Sequence, residues 1–312
     1  MESAIRPKIL FIFNPRSGNH SIDWEKEIGE YFKPLHYSIE IHVLKDDCCA
    51  AEINEKIASY DPDQVVAVGG DGTVTLVGGC LLEKNIQLGI LPAGSANGLA
   101  KELGISLIPA EALHTVISGV GKKIHVIMIN GRLSIHLSDI GFNARMIEKF
   151  QTENTRGIWG YFKATLPILR NILFINPLMK VSITIDERTI RTKTAMIVIA
   201  NATRYGSGAV INPNGNLEDE LFEVIVIKQI SIIEIFKMLV THTSFNPRKT
   251  EILRTRTLHI KLSKKMHFQV DGEYLGKVDE VKAYLIPAAL EIRVPSPVQY
   301  HSLFSDQMFP KL

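Results

Sequence analysis

The sequence predicts a two-part chain: an α/β layered half with a parallel sheet, followed by an antiparallel, β-rich half. Three observations predict it. Up to residue 123, short apolar runs alternate with helix-like segments, the rhythm of a parallel sheet covered by helices. From residue 124 strands dominate, and many alternate apolar with polar residues, as half-buried antiparallel strands do. Glycine-rich turns follow directly on the apolar runs of the first half, at the strand ends where open parallel sheets take their ligands.

In order, Ile9–Phe13 is the first buried strand, closed by the turn residues Asn14-Pro15-Arg16-Ser17-Gly18-Asn19. Arg16 and Ser17 then stand at the sheet edge, either ready for a phosphate or simply part of a solvated turn. A strand over Ile39–Val43, a helix over Ala50–Tyr60 and a strand over Val65–Val68 follow. The last runs straight into Gly69-Gly70-Asp71-Gly72-Thr73 and a helix over Val74–Leu82. That order builds a phosphate site from backbone. Glycines permit positive φ and close approach, and the helix start offers unpaired N–H groups and a positive dipole end. No Gly-Lys-Ser/Thr follows, so this is not a P-loop, and the Gly-x-Gly-x-x-Gly spacing of dinucleotide folds is absent. Asp71 sits among the donors, where a carboxylate could hold a metal or a ribose hydroxyl. A strand over Leu88–Leu91 leads to Pro92-Ala93-Gly94-Ser95-Ala96-Asn97 and a helix over Ala96–Leu103. Ser95 is the expected cap of that helix, and Asn97 could bond a ribose, a phosphate or backbone. A helix over Ala110–Ser118 ends this half.

In the second half the predicted strands are Ile124–Ile129, Leu133–Leu137, Val181–Ile185, Ala195–Ala200, Leu221–Ile227, Leu258–Leu262, His267–Val270, Val281–Ile286 and Leu290–Val294. Asp271-Gly272 is a hairpin signal in its own right. Glu273 is expected on the same face of an extended segment as Asp271, where it could hold a metal or water. Asp139 could ligate a metal or cap the next helix. The run Glu218-Asp219-Glu220 reads as a solvated turn or as part of a metal site through Asp219. Ile158–Leu178, rich in aromatics and kinked at Pro167, reads as a core helix or a lipid-facing one. No Gly/Ser linker separates the halves, so they are expected to pack closely around a cleft.

A net charge of +2 provides no broad basic field, so nucleic acid is not an expected partner. Cys48, Cys49 and Cys80 fit neither a disulfide framework nor a zinc site, which suggests a reducing, cytoplasmic compartment. No apolar run reaches the ~18–20 residues that span a bilayer. The histidines show no metal-ligand spacing, and no Ser-His-Asp order or His-Glu-x-x-His motif is present.

Asn14-Pro15-Arg16-Ser17-Gly18, Gly69-Gly70-Asp71-Gly72-Thr73 and Leu91-Pro92-Ala93-Gly94-Ser95-Ala96-Asn97 together resemble the diacylglycerol kinase catalytic-domain family, which includes bacterial lipid kinases and sphingosine kinases and is related to NAD kinases and phosphofructokinases. The resemblance continues through Gly141-Phe142-Asn143-Ala144, Asn201 to Gly208 with Pro213, and Asp271-Gly272-Glu273, nearly the whole chain. It implies an NAD kinase/phosphofructokinase-like first domain over 1–123, to which 288–312 return, and a β-sandwich acceptor domain over 124–287. It implies ATP with Mg²⁺ at Asn14, Pro15, Arg16, Ser17, Gly69, Gly70, Asp71, Gly72, Thr73, Gly94, Ser95 and Asn97. Asp71 and Asp219 are the implied metal ligands. Asp271 is the implied base or orienting group for a lipid hydroxyl, with Glu273 beside it. The implied substrate is diacylglycerol or a related lipid alcohol, reached by transient peripheral contact with the inner membrane surface; a homodimer stays open. Two alternatives stand beside this: an NAD kinase-like enzyme, and an inactive nucleotide- or lipid-binding regulator. The second is motivated by departures from the family pattern. Val74-Thr75-Leu76 replaces a common Leu-Asn-Glu, Gly98 stands where an aspartate often follows, and Glu218-Asp219-Glu220-Leu221 replaces Asp-Asp-Gly-Leu.

Overall fold

Four short strands of the first half lie side by side, all parallel, in a computed structural model that describes residues 6–18, 22–45, 49–152, 178–204, 210–230 and 246–296. The chain divides into two units, one comprising Met1–Ile124 and Ala288–Leu312, the other His125–Pro287.

The first unit runs β1 (Lys8–Phe13), α1 (Trp24–Phe32), β2 (Ser38–Val43), α2 (Ala50–Tyr60), β3 (Gln64–Gly69), α3 (Asp71–Leu81), β4 (Gln87–Pro92), α4 (Gly98–Glu102) and α5 (Pro109–Ser118). The strand order is β2-β1-β3-β4. β3 is buried at every position, as a strand covered on both faces must be. α1 buries Trp24, Ile28 and Phe32, one residue per turn, and Phe32 meets Phe11 of β1 edge to face at 5.5 Å. The Asp23 side chain caps α1 through Lys26 N. Because the strands run parallel, the residues after β1, β3 and β4 all emerge at one edge of the sheet.

The second unit contains most of β5 (Val120–Ile129), then β6 (Arg132–Ser134), β7 (Leu137–Gly141), α6 (Phe142–Thr152), β8 (Met179–Ile185), β9 (Arg188–Thr194), β10 (Met196–Ala200), β11 (Phe222–Ile227), β12 (Thr250–Thr255), β13 (Thr257–Val270) and much of β14 (Glu273–Val294). Its main order is β12-β11-β10-β7-β13-β14, antiparallel throughout, with β8 and β9 attached to β13. β10 is buried along its length because it serves two apolar clusters. Ile197 and Ile199 face one, and Met196, Val198 and Ala200 face the other.

Several elements differ from the sequence reading. The strand expected over Leu133–Leu137 is broken into β6 and β7, because residues 134–136 turn to bond the Asp271 side chain. The two strands expected between Leu258 and Val270 are one, β13, with irregular register near Lys261 and His267. The two expected between Val281 and Val294 likewise form one, β14, despite Pro287. The unforeseen strand β9 carries the polar sequence RTIRTKT, and the unforeseen helix α1 has Gly29 in its middle, so neither announces itself by composition. Among the described residues no helix is long and apolar enough to cross a membrane. Cys48, His242, residues 205–208 of the Asn201–Gly208 motif and all but the last residue of Ile158–Leu178 lie outside the described residues.

Candidate functional site

The three glycine-rich loops of the first unit are tied to one another by their own polar groups. Asn14 Nδ2 donates to Thr73 Oγ1 at 3.0 Å, and Asn14 N donates to the Val68 carbonyl at 3.0 Å. Asn14 Oδ1 accepts from Arg16 N, so the asparagine holds its own turn as well. Gly70 N points at Ser17 Oγ at 3.4 Å, and Ala93 N donates to the Gly69 carbonyl at 2.9 Å. Gly70 and Gly94 touch backbone to backbone: a Cβ on Gly94 would run into Gly70 Cα. Gly18, at φ +73°, likewise leaves no room for a Cβ beside the Ala93 carbonyl. Gly72 is different. A Cβ there would meet nothing within 4 Å, so α3 faces open space at Gly72. Thr73 N and Val74 N both donate to the Gly70 carbonyl, so α3 starts tightly at the loop. The start of an eleven-residue helix at an open sheet edge is suited to an anion.

One expectation changes here. Ser95 does not cap α4; it is exposed at the loop tip, and the helix begins at Gly98. The cap comes from another loop: Asp71 Oδ2 accepts from Gly98 N and Asp71 Oδ1 from Leu99 N, both at 2.9 Å. Asp71 therefore clamps the second loop to the third, with both oxygens engaged by amides. Asn97, itself in the left-handed region at φ 51°, closes the third loop by accepting from Gly94 N at 2.9 Å and donating to Gly94 O at 2.8 Å. Pro15 shapes the first turn, and Arg16 is exposed, its guanidinium reaching the Lys45 carbonyl at 3.3 Å.

A second constellation forms in the other unit. Asp271 and Gly272, at φ 45° and 88°, make a two-residue turn between Val270 and Glu273. That turn separates Asp271 from Glu273, which do not share a face as expected. Glu273 points outward to an exposed pair with Arg132 at 3.4 Å. The Asp271 carboxylate instead accepts from Ser134 Oγ at 2.8 Å, Ile135 N at 2.8 Å and His136 N at 3.1 Å. Burial pushes its proton affinity up, against the pull of those hydrogen bonds and of His136. Asp139, fully buried, accepts from Ala144 N at 2.8 Å and Asn143 Nδ2 at 2.6 Å, so of its two readings the structure chooses the helix cap. Gln269 donates to Asp139 at 2.5 Å and accepts from Gly272 N at 2.7 Å, which links the start of α6 to the turn that carries Asp271. Ser134 and Gln269 were missed in the sequence, because they lie in unremarkable strands and only pairing brings them to Asp271 and Asp139.

Asp219 is tied to its own turn through Leu221 N at 3.2 Å and to the Arg254 guanidinium. Arg254 also holds Glu223, whose carboxyl is pushed up by burial and pulled down by Asn212 and Arg254. Asp219 thus faces an arginine of β12. Among the described residues no group of three His, Cys, Asp or Glu side chains could hold a metal ion.

The family model for the diacylglycerol kinase catalytic domain matches residues 8–129. The YegS C-terminal NAD kinase beta sandwich-like domain matches residues 139–294, half of the chain. The chain belongs to the diacylglycerol kinase catalytic-domain family. Within it, the diacylglycerol kinase of Bacillus subtilis is 24% identical over 275 residues, covering 85% of this chain and 89% of that one. The crystal structure of a diacylglycerol kinase from Bacillus anthracis superposes with a TM-score of 0.70 at 19% identity, covering 94% and 98% of the two chains. An NAD kinase from Archaeoglobus fulgidus, solved in complex with ATP, superposes with a TM-score of 0.52 at 13% identity, covering 96% and 97%. These two likenesses bear on fold, which is NAD kinase-like. As a member of this lipid kinase family, the protein is a kinase that transfers a phosphoryl group to an alcohol. Against the family pattern, Leu76 lies half-buried on α3 where many members place a glutamate, and Gly98 gives its amide to Asp71.

Proposed function

We propose that the protein uses ATP to phosphorylate the hydroxyl of diacylglycerol or a related lipid. The observation that carries this reading is the knot of three loops at one edge of the parallel sheet. Asn14, Ser17, Gly70, Asp71, Thr73, Gly94 and Asn97 hold one another there, and the start of α3 opens onto unfilled space at Gly72. Phosphoryl transfer asks a protein mainly to position and neutralise phosphates, and preformed backbone donors do that without reorganising. In this reading the nucleotide phosphates take the start of α3, and Asn97 and Ser95 border the nucleotide. Mg²⁺ in this reading arrives on the phosphates it neutralises, as this ion commonly does. Asp271 orients the acceptor hydroxyl, and its raised proton affinity suits a group that accepts a proton as the phosphoryl group arrives. A transient stay at a membrane surface follows from an acceptor that lives in one.

The test is transfer of label from γ-labelled ATP with Mg²⁺ into mixed micelles of diacylglycerol, monoacylglycerol or sphingosine, with NAD as a separate acceptor. Label in one lipid supports the reading and names the substrate. Label in NAD moves the activity to the NAD kinase side. ATP binding with transfer to none of them leaves a regulator, and Leu76 becomes the residue to change first.

A further inference from the structure

Strands β8, β9 and β13 carry a groove of about 680 Å³ whose lining includes Lys180, Arg191, Lys193 and Lys261. The register makes this arrangement. Met179, Val181 and Ile183 are buried in the core, which turns Lys180 and Ser182 outward. Lys180 pairs directly with Lys193, and Ser182 lies between Arg191 on one side and Lys261 on the other. Two rungs of one sheet face thus hold four cations, with strands ~4.8 Å apart. Among the described residues no acidic side chain lines the groove, and Lys180, Arg191 and Lys193 form no ion pair. Glu280, opposite Lys261 in register, is engaged by His259 at 2.6 Å and Lys282 at 3.8 Å, and Lys261 also acts on its charge.

Like charges directly opposite on a sheet are destabilising. Cations on β9 alone would guard an exposed edge against pairing with another chain. That account does not cover Lys180 and Lys261, which sit on strands already paired on both sides. An array of cations with a gap between them is relieved by anions of matching spacing.

We propose that this face docks the protein on an anionic phospholipid bilayer, with headgroup phosphates seated between Lys180, Lys193, Arg191 and Lys261. The proposal rests on the lipid-kinase reading and names the surface that would meet the membrane. Lys180, Arg191, Lys193 and Lys261 are all exposed, and long flexible stems let such cations reach a headgroup plane. Nucleic acid fits less well: among the described residues the groove has no aromatic side chain on which a base could stack, and a net charge of +2 gives no wide basic field.

The experiment is sedimentation of the full chain with phosphatidylcholine vesicles, with and without phosphatidylglycerol. Binding is expected only with phosphatidylglycerol, and it should weaken as salt rises. K180Q/K193Q should lower the partition coefficient ~30-fold, at roughly fivefold per cation, with a melting temperature no lower than wild type, since it removes a pair of like charges. K26Q/K101Q, two lysines of the first unit, should leave binding alone. Equal binding by K180Q/K193Q and wild type overturns the proposal, as does absence of binding to anionic vesicles or tighter binding of an RNA or DNA oligonucleotide at the same residues. Vesicle binding is read without ATP. Transfer to lipid in neutral detergent micelles, measured on the same K180Q/K193Q protein, reports separately on the kinase reading and should match wild type.

Discussion

Asp71 and Leu99 lie 28 residues apart in sequence, yet the Asp71 carboxylate caps the helix that Leu99 helps to start, with Oδ1 accepting from Leu99 N at 2.9 Å. The partner oxygen takes Gly98 N, so one side chain satisfies two amides that a short helix leaves unpaired. Asp71→Ala should cost about 1–2 kcal/mol of stability, the usual weight of a lost cap. The third loop should loosen at the same time, so nucleotide affinity falls. Asp71→Asn keeps one acceptor and should fall between. Thermal melting and nucleotide titration check both; a wild-type melting temperature for Asp71→Ala would remove the clamp from the account.

Gly72 and Gly94 should respond in opposite ways. A methyl group at Gly94 collides with Gly70 Cα and Asn97 Oδ1, and overpacking of this kind costs about 1–3 kcal/mol. A methyl group at Gly72 enters open space, so Gly72→Ala should melt within about 0.5 kcal/mol of wild type. It should nevertheless weaken ATP binding, because that space is where the nucleotide phosphates are proposed to lie. Unaltered ATP affinity in a well-folded Gly72→Ala protein would move the phosphates elsewhere.

Asp271→Asn should lose both turnover and stability. An amide nitrogen in place of one carboxylate oxygen faces a backbone N–H, and an unsatisfied buried donor costs about 1–3 kcal/mol. Ser134→Ala removes one donor and leaves both backbone hydrogen bonds, so it should melt nearer to wild type. Comparing turnover per folded molecule in the two variants separates a role in transfer from one in holding residues 134–136.

Stability should fall as the medium is acidified through the histidine range. Burial pushes the His125 imidazole below its ordinary value, with Asp219 opposing most strongly, and burial does the same for His267. The folded state therefore binds fewer protons than the unfolded one. Stability is full above the unfolded value of about 6.5 and declines below it. Urea midpoints measured between about pH 7.5 and 5.5 should decrease, and His125→Phe should flatten the decrease. An unchanged slope in that variant would assign the effect to other groups.

Much of the first unit was legible in the chain. α2 has the bounds that its apolar spacing predicts, and β1, β2, β3 and β4 fall within a residue of the apolar runs. The reason is local: buried parallel strands are continuous apolar runs, and glycine turns punctuate them. The second unit was less legible. β9 is written in Arg, Thr and Lys, and β12 in TEILRT, because an edge or half-exposed strand needs no apolar pattern. The single strands β13 and β14 each looked like two, since interior irregularities read as ends.

The sequence by itself determined which loops are rich in glycine, which strands deliver them, and the family pattern that they spell. These features depend on neighbours along the chain. Only the tertiary structure decided what the carboxylates do, because a carboxylate takes its role from the donors that surround it. Asp71 became a cap for α4, Asp139 a cap for α6, and Asp219 the partner of Arg254. Asp271 was drawn to residues 134–136, more than 130 positions away, by a turn that sequence could place but a pairing it could not.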